Sequence, residues 1–435
     1  MARFEERLWE WAGPGSGLSR KDRRGGAYEV YIPDSLIGGE FWLGGRESAD
    51  VSDAEREITL LESHSSALVD TEALARLLLR AESVASSRIE GLVVGPARIL
   101  RADAARESGE PERDETAAEV LGNIEAMSHA LHSVNEGQDI TLPLLLEAHR
   151  RLLTPTALAP YAGQLRTVQN WIGGSSYNPC SAIFVPPPPE LVEELMLDLC
   201  RFCNDDSLPT VAQAAIAHAQ FETIHPFVDG NGRIGRALIH LVFRRRGLTH
   251  RTSPPVSLVL ATRAQDYMNG LNATSYAGER NSPEATAAIN QWVGTFAAAC
   301  SRAATEAMAF EERIRAIQDG WRARLGSMRS DAAALRLIEI LPGAPVITLA
   351  SAERMISRSL RATIDGMDAL QNVGIVRPSK VGRRRKQVFE AHEIIDAFTA
   401  LERQLASPAG DTLLELPSRA VPSRRPSTDT VSFMN

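Results

Sequence analysis

The spacing of apolar residues is the feature that most constrains how this chain can fold. From about Glu55 onward, apolar side chains recur every three or four residues, which gives a helix one apolar face. The face of residues 71–89 holds Leu74, Leu77, Leu78, Ala81 and Ala85. Helices are also predicted at residues 115–134, 142–153, 211–223, 264–273 and 283–308, with more helical pattern after Glu190 and Gly232. The sequence therefore predicts an all-α core.

Length and composition limit the class of protein. The chain has 435 residues, too many for one compact core, which indicates two or three domains. Its 44% apolar and 23% charged residues are typical of a soluble globular protein, and a net charge of -8 argues against a general polyanion binder. The sequence has no signal-peptide pattern and no run of about 18 apolar residues. We therefore expect a cytoplasmic protein without a membrane segment.

The four cysteines predict neither a disulfide framework nor a metal site. Cys200 and Cys203 form a C-x-x-C pair within a helical pattern, without a second such pair or a nearby pair of histidines. Packing inside a helix is therefore favoured over zinc or redox chemistry, which agrees with a reducing compartment.

Changes in composition divide the chain into four parts. Residues 1–50 are Gly-rich and irregular, and they belong to an N-terminal region that covers 1–110. The helical core is predicted at 111–329, and residues 330–400 have an apolar periodicity of their own, which indicates a small separate domain. Residues 401–435 are rich in Pro, Ser and Thr, which predicts a disordered tail.

One loop between two apolar helices has the features of a phosphate-binding site. It reads HPFVDGNGRIGR from His225 to Arg236. Gly230 and Gly232 let backbone N–H groups approach a ligand, and the following helix places a partial positive charge at its N-terminus. The guanidinium groups of Arg233 and Arg236 each offer several donors to phosphate oxygens.

The same loop carries groups for chemistry on a phosphate. Asp229 offers the hard oxygen ligand that magnesium prefers, and the amide of Asn231 can donate to a phosphate oxygen. His225 can take a proton near neutral pH. Together these residues favour phosphoryl-type transfer to a hydroxyl over a plain turn with incidental charges.

The loop resembles the signature of the Fic family, H-x-F-x-[DE]-G-N-G-R-x-x-R, at every fixed position. The resemblance implies an all-helical Fic core that transfers AMP from ATP to a Ser, Thr or Tyr hydroxyl of a target protein or of itself. It implies His225 as the catalytic base, Asp229 as the Mg²⁺ ligand and Phe227 as a buried anchor. The residues implied to bind the ATP phosphates are Asp229, Gly230, Asn231, Gly232, Arg233, Gly235 and Arg236.

One loop position separates two branches of the family. The Doc toxins, which transfer phosphate instead of AMP, carry a lysine where this chain has Gly232. A bulky side chain there would change how the triphosphate lies. Gly232 therefore favours AMP transfer.

The segment over residues 163–189 resembles the Fic flap. It holds glycines, a run of four prolines and two short alternating stretches, which predict a β-hairpin. In the family this hairpin lies over the active site and binds an extended segment of the target protein through main-chain hydrogen bonds. The alternative is a surface hairpin without function.

The stretch Ser86-Ser-Arg-Ile-Glu-Gly91 resembles the Fic inhibitory motif [ST]-x-x-x-E-[GN]. Ser86 and Glu90 are four residues apart, so both lie on one helical face, and Gly91 can end the helix. In the family the glutamate pairs with the second loop arginine, here Arg236, and withholds it from the γ-phosphate. The resemblance therefore implies autoinhibition by an N-terminal helix.

The adenine site is the least specific part of the resemblance. Tyr267 and Leu271 resemble the Tyr-containing helix near the base in the family, and Trp292 lies in the next helix. The alternative for all three is packing in the core. Tyr267 is the candidate we retain.

Residues 330–400 resemble a winged helix, with three helices followed by two strands around a basic turn. Basic residues on the third helix and the turn can meet DNA phosphates, or they belong to a dimerisation or protein-binding surface. These residues are Arg358, Arg361, Arg383, Arg384, Arg385 and Lys386. A DNA partner, a protein partner and a homodimer all stay open at this point.

Three functions are compatible with these motifs. The first is an ATP- and Mg²⁺-dependent protein adenylyltransferase that Glu90 holds back. The second is removal of AMP at the same site, with Glu90 positioning a water. The third is a DNA-binding regulator whose core only senses nucleotide, which would not require both His225 and Asp229.

Overall fold

The structure is a computed structural model that describes most of the chain. The described residues are 1–10, 25–66, 71–109, 114–327, 332–382 and 385–405, with the single residues 19, 23 and 329.

A two-stranded sheet precedes the helices. Strand β1 (Arg3–Trp9) pairs antiparallel with β2 (Gly26–Ile32), with Arg3 opposite Ile32. The first helix, α1, is Gly45–Ser66 and begins ten residues before Glu55. The prediction of an irregular arm over 1–50 is therefore wrong. The alternating segment of β2 forms its backbone hydrogen bonds with β1, a strand that lies about 20 residues earlier in the chain.

Ten further helices of the described residues form the rest of the core. They are α2 (Thr71–Ile89), α3 (Pro96–Glu107), α4 (Glu115–His132), α5 (Leu142–Leu153), α6 (Pro189–Cys203), α7 (Thr210–Ile224), α8 (Asn231–Arg245), α9 (Val256–Thr262), α10 (Ala264–Ala273) and α11 (Pro283–Leu325).

Two of these helices are central. Helix α7 is buried on every side, as expected for a helix that is apolar all round. Helix α11 is 43 residues long and packs along α1 and α7, where the Trp292 indole donates to the Ala215 carbonyl at 2.7 Å. The all-α core is confirmed.

Sequence periodicity missed two helices. Helix α3 was not predicted because charged residues interrupt its alanine-rich apolar face, which still buries Ile99 and Leu100. Helix α9 has seven residues, too few to display a helical period.

The predicted flap hairpin is wrong in detail. In the segment 163–189, Ile172 and Phe184 form a single antiparallel bridge rather than a pair of strands. Gly173 and Gly174 both have a φ of 74°, and a short 3-10 turn covers Pro179–Ser181. The chain therefore turns away before a second pair can form, and the prolines that follow donate no ladder bonds.

The C-terminal part has the predicted order of elements plus two more. Its elements are α12 (Ala333–Ile340), β3 (Val346–Ile347), α13 (Leu349–Ile356), α14 (Leu360–Asn372), β4 (Arg377–Val381), β5 (Lys386–Glu390) and α15 (His392–Leu405), with β5 between β3 and β4 in one sheet. Thr348 caps α13 as predicted, because its hydroxyl accepts from the Ser351 amide at 3.1 Å.

This part packs directly on the helical core. Arg101 on α3 donates two hydrogen bonds to Glu390, and Arg88 near the end of α2 pairs with Glu402 on α15 at 2.7 Å. One continuous apolar cluster includes both parts. Helix α15 continues past residue 400, so the start of the predicted tail is helical, and residues 406–435 lie outside the described residues.

The structure also bears on the predictions made for the cysteines and for a membrane segment. Cys200 and Cys203 are buried in α6, where burial raises the pKa of the Cys200 thiol to about 12, as expected for packing residues. Among the described helices, none has both the length and the apolar character needed to cross a membrane.

Candidate active site

The loop predicted to bind phosphate joins α7 to α8. His225 ends α7 in a left-handed conformation with a φ of 48°, and Gly230 precedes α8 with a φ of 80°. A Cβ atom at Gly230 would also lie 2.8 Å from the Leu152 side chain. Glycine is therefore required there by both conformation and space, as the sequence predicted for conformation.

The side chain of Asn231 holds the loop closed. Its Oδ1 accepts from the Phe227 amide at 2.8 Å, and its Nδ2 donates to the Phe227 carbonyl at 2.9 Å. The predicted donation from the Asn231 amide to a phosphate oxygen stays a prediction, because the bond to Phe227 uses only one of the two amide hydrogens. Asn231 also offers an anion its backbone N–H in the first turn of α8.

His149 on α5 supports the loop, a role that no local sequence pattern indicated. Its ring stacks on Phe227, with centroids 3.7 Å apart. Nδ1 accepts from the Gly163 amide at 3.0 Å, so Nε2 carries the hydrogen that is donated to the Asp229 carbonyl at 3.0 Å. Burial lowers the pKa of His149 to about 4, which agrees with this neutral tautomer.

Arg166 holds His225 in its unusual backbone conformation. It is almost fully buried, and its Nε donates to the His225 carbonyl at 2.8 Å. Asn170 donates to the same carbonyl at 3.3 Å and to that of Phe227 at 3.1 Å. The segment that resembles the flap therefore also fixes the loop beneath it, a role that sequence reasoning did not assign.

The imidazole of His225 is neutral at physiological pH. Its pKa is lowered to about 4, chiefly by burial and also by Arg166, although the backbone of Glu222 and the charges of Glu90 and Asp229 act in the opposite direction. A neutral imidazole can accept a proton, which is the state that a general base requires.

Arg233 carries unused donors at the centre of the loop. Its side chain is 4% exposed, and Nη2 pairs with Asp229 Oδ2 at 2.8 Å. Its Nε and Nη1 are buried without a hydrogen-bond partner among the described residues. Unpaired buried donors are costly, so this pair of nitrogens fits an anionic ligand such as a phosphate.

Asp229 fits a magnesium ion that takes most of its ligands elsewhere. The carboxylate of Asp229 is nearly half exposed. Its negative charge acts on the neighbouring Glu119, whose pKa is raised by burial and by Asp229 and lowered by Arg233. No cluster of three or more metal-ligating side chains occurs in the described part of the chain. Magnesium commonly uses one or two carboxylates with phosphate and water, and Asp229 suits that pattern.

Arg236 is bound by the helix that the sequence identified as inhibitory. Its Nη2 donates to Glu90 Oε1 at 2.7 Å and to the Ser86 carbonyl at 2.8 Å, and its Nε donates to Ser86 Oγ at 2.9 Å. A Cβ atom at Gly232 would lie 2.0 Å from Glu90 Oε1. Glu90 therefore occupies the space directly above Gly232, where a longer residue would collide with it.

The pair between Glu90 and Arg236 is electrostatically strong. Burial alone would raise the pKa of Glu90, but Arg236, followed by Arg233 and His225, holds it below its usual value. The pKa of Arg236 is raised despite its burial, because Tyr267, Glu90 and Glu222 favour its charged form. Both partners are therefore charged when they meet.

A buried contact between Glu82 and His240 joins α2 to α8. Glu82 lies eight residues before Glu90, and its Oε1 is 3.0 Å from Nε2 of His240, four residues after Arg236. Glu82 also accepts from the Ser257 amide at 2.7 Å. Glu82, Ser86 and Glu90 follow one another at intervals of four residues, as Arg236 and His240 do. This spacing places Glu82 and Glu90 on the same face, which meets α8.

Comparison with known proteins bears on this geometry. A family model described as Fic/DOC family matches residues 139–243, which include the whole loop, and one described as Fic/DOC family N-terminal matches residues 48–132. The chain carries a Fic/DOC domain. Both matched regions coincide with the places where the structure puts the loop and Glu90.

Curated relatives share part of this region. Protein adenylyltransferase fic-1 of Caenorhabditis elegans is 37% identical over 158 residues, which are 34% of this chain and 27% of that protein. Protein adenylyltransferase Fic of Drosophila grimshawi is 35% identical over 152 residues, which are 34% of this chain and 28% of that protein. The chain thus spans little more than a quarter of the length of these relatives.

Solved structures give a similar comparison. A Fic family protein from Desulfovibrio desulfuricans aligns over 81% of this chain and 97% of its own, with 20% identity and a TM-score of 0.49.

Tyr267 lies on α10, outside the residues that the Fic/DOC family model matches, and it interacts with Arg236. Its hydroxyl is 2.8 Å from His218 Nε2, and its ring centroid is 6.0 Å from that of Trp292. Burial raises its pKa, and Arg236 opposes that rise. Tyr267 is almost fully buried, so the structure gives it the surroundings of a core residue that touches the site.

Gly235 faces α7 rather than the opening of the loop. A Cβ atom there would lie 2.4 Å from Glu222 Oε1 and 2.9 Å from the Phe221 ring. The missing side chain therefore allows α7 and α8 to pack closely. This explains the glycine without a direct contact to phosphate.

Glu222 was not identified from the sequence, yet it is the most perturbed carboxyl group of the Fic/DOC domain. Its Oε1 is buried without a hydrogen-bond partner in the described structure. Burial raises its pKa from 4.5 to about 7, while Arg236 lowers it and Glu90 raises it. The folded protein therefore holds its proton more tightly than the unfolded chain does.

This predicts a pH-dependent stability. Because the folded pKa is raised, the contribution of Glu222 is fully present below about pH 4.5 and is lost as the pH rises to about 7, by at most about 3 kcal/mol. The side chain in Glu222→Gln is neutral at every pH. The free energy of unfolding of this variant, relative to that of wild type, should therefore rise between pH 5 and pH 8. Urea unfolding measures this, with the exposed Glu284→Gln as control. An equal difference at both pH values would contradict the assignment.

Proposed function

We propose that this chain is a protein adenylyltransferase that moves AMP from ATP to a hydroxyl group of a protein. The observation that carries the proposal is one loop with a neutral imidazole at His225 and unpaired buried donors on Arg233. The names of the curated relatives agree with this reaction. The chain covers only part of those relatives, so the activity is inferred from its own site.

The proposed step assigns a role to each end of the loop. The hydroxyl oxygen of the target attacks the α-phosphorus, its proton moves to the imidazole of His225, and pyrophosphate leaves with the electron pair of the broken bond. Arg233 and the backbone N–H groups around Gly232 bind the phosphate oxygens. Magnesium, held by Asp229, would supply neutralisation of phosphate charge.

Glu90 is proposed to hold the enzyme back. Its carboxylate takes Arg236 and fills the space above Gly232, so a triphosphate cannot gain that arginine while Glu90 stays in place. An anion in that position would also meet the negative charge of Glu90. Release of Glu90 is therefore required for productive binding of ATP.

The partners of the reaction follow from the surroundings of the site. The proposed target segment is an extended peptide that binds along residues 163–189, and the chain itself is one target through self-modification. A cytoplasmic location suits an ATP-dependent enzyme whose four cysteines are free thiols.

The C-terminal part is proposed to be a winged helix that binds a protein partner, with a homodimer as one form of that partner. Lys386 is engaged by the Ser108 carbonyl, and Arg361 is paired with Asp365, which reduces their value for DNA phosphates. Arg383 and Arg384 lie outside the described residues. Binding to duplex DNA that weakens steeply with salt would instead favour the DNA reading.

ATP labelled separately at the α and γ positions tests the proposal. In the Glu90→Gly variant, the α label should be incorporated into protein and the γ label should not, because AMP carries only the α-phosphate. Incorporation of the γ label would identify phosphate transfer, as in the Doc branch. Loss of AMP from a pre-modified target in wild type, but not in the variant, would favour AMP removal with Glu90 as a working residue.

A further inference from the structure

A large cleft lies apart from the candidate active site. It has a volume of about 1010 Å³, and its walls are α2, α3, α4 and the segment from Arg244 to Ser253. None of its lining residues belongs to the loop at 225–236 or to the segment 86–91. Its size is at the upper end for small-molecule sites, which span roughly 300–1,000 Å³.

The carboxylates that line the cleft already have partners. The contacts are Glu72 with Arg76, Asp103 with Arg80, Glu125 with Arg106 and Glu107 with the Ser351 hydroxyl. Three of these contacts are ion pairs that each neutralise one arginine and one acidic group, and Glu107 also lies 3.9 Å from Arg354. The charge that remains in the cleft is therefore positive.

The guanidinium groups of two cleft arginines make no contact with a carboxylate of the described residues. Arg244 is half-buried, and its guanidinium makes one hydrogen bond in the described structure, from Nε to the Val134 carbonyl at 2.9 Å. The side chain of Arg251 has no hydrogen bond or ion pair with a described residue. Arg251 is exposed, and both guanidinium groups retain donors that favour an anion.

Glu62 does not satisfy these guanidinium groups. Glu62 favours the charged form of Arg244 from a distance, while burial lowers the pKa of that arginine. The carboxylate of Glu62 is instead occupied by the Arg251 amide at 2.9 Å and the Thr252 hydroxyl at 2.6 Å. The Glu62 carboxylate therefore accepts hydrogen bonds from residues 251 and 252 and not from either guanidinium group.

Three histidines and an apolar floor complete the cleft. His129, His132 and His250 line it, and burial, followed by Arg151 and His132, lowers the pKa of His129. Like-charge neighbours of this kind mark a region of positive potential. The floor is apolar and consists of Ala75, Leu79, Leu121, Ile124 and Leu131.

We propose that this cleft binds a small phosphorylated molecule with an apolar or aromatic body. The phosphate binds Arg244 and Arg251, whose planar guanidinium groups suit its oxygens. The body packs on the apolar floor formed by α2 and α4. The ligand would contact both α2 and α8, the helices that carry Glu90 and Arg236. The site is separate from the ATP site and does not rest on the proposed reaction.

The test uses 1-naphthyl phosphate as probe and the side-chain NMR signals of the histidines of the full chain as readout. Signals of His129, His132 and His250 should shift as the probe is added. Inorganic phosphate and 1-naphthol should each bind more weakly, because each offers only half of the contacts. Equal binding of inorganic phosphate would overturn the apolar part of the proposal.

Variants separate this site from the loop. Arg244→Gln and Arg251→Gln should each raise the dissociation constant about tenfold or more, the value of a lost charge-assisted hydrogen bond. Arg201→Gln, at an exposed position on α6, should leave it unchanged. The spectrum without probe checks that each variant is folded. Shifts confined to His225 and His149, or an unchanged constant in both cleft variants, would overturn the proposal.

Discussion

Transfer of the α label is expected to fall about 10²–10⁴-fold when His225 is replaced by alanine, the usual cost of losing a general base. The change is best made in the Glu90→Gly background, where transfer is not masked by autoinhibition. ATP binding, measured by calorimetry, should stay close to that of the parent. The reason is that no hydrogen bond joins His225 to Arg233 or Arg236 in the described structure.

The backbone of His225 requires a second variant. Its φ of 48° is unfavourable for alanine, so His225→Ala alone mixes lost chemistry with strain. His225→Asn tolerates the left-handed conformation but cannot serve as the base, and it should lose transfer equally. His64→Ala, at an exposed position on α1, serves as the control. Full transfer by the asparagine variant would exclude His225 as the base.

Replacing Glu90 by glycine is expected to raise self-modification about 10–100-fold. The variant frees Arg236 for the γ-phosphate and empties the space above Gly232. A regained hydrogen bond to a charged group is worth about 1.5–3 kcal/mol, which corresponds to this range. Incorporation of the α label over time measures the effect.

Matched variants separate charge from helix stability. Glu90→Gln keeps the size of the side chain but removes its charge, so it should activate less than Glu90→Gly. Glu284→Gly places glycine in an exposed first turn of α11 and should not activate. A Glu90→Gly variant no more active than wild type would contradict the inhibitory role. A less active one would favour AMP removal.

The sequence by itself determined the chemical content of the loop and of the inhibitory motif. Both are contiguous and are shaped by local geometry: Gly230 turns the chain with its positive φ, and Ser86 and Glu90 lie four residues apart at the end of α2. Several helices were likewise predictable, because an amphipathic period is written within each segment. The pairing of Glu90 with Arg236 was foreseen only through resemblance, since 146 residues separate the two.

Only the tertiary structure decided which groups support the site and which do not. His149 and Arg166 hold the loop from distant segments, and neither carries a local signal of that role. The side chain of Asn231 bonds to the backbone of Phe227, a contact that exists only once the loop has closed. The pKa of Glu222 depends on burial between α7 and α8 and on the charge of Arg236. These properties arise from desolvation and from contacts between residues far apart in the chain, which no local pattern encodes.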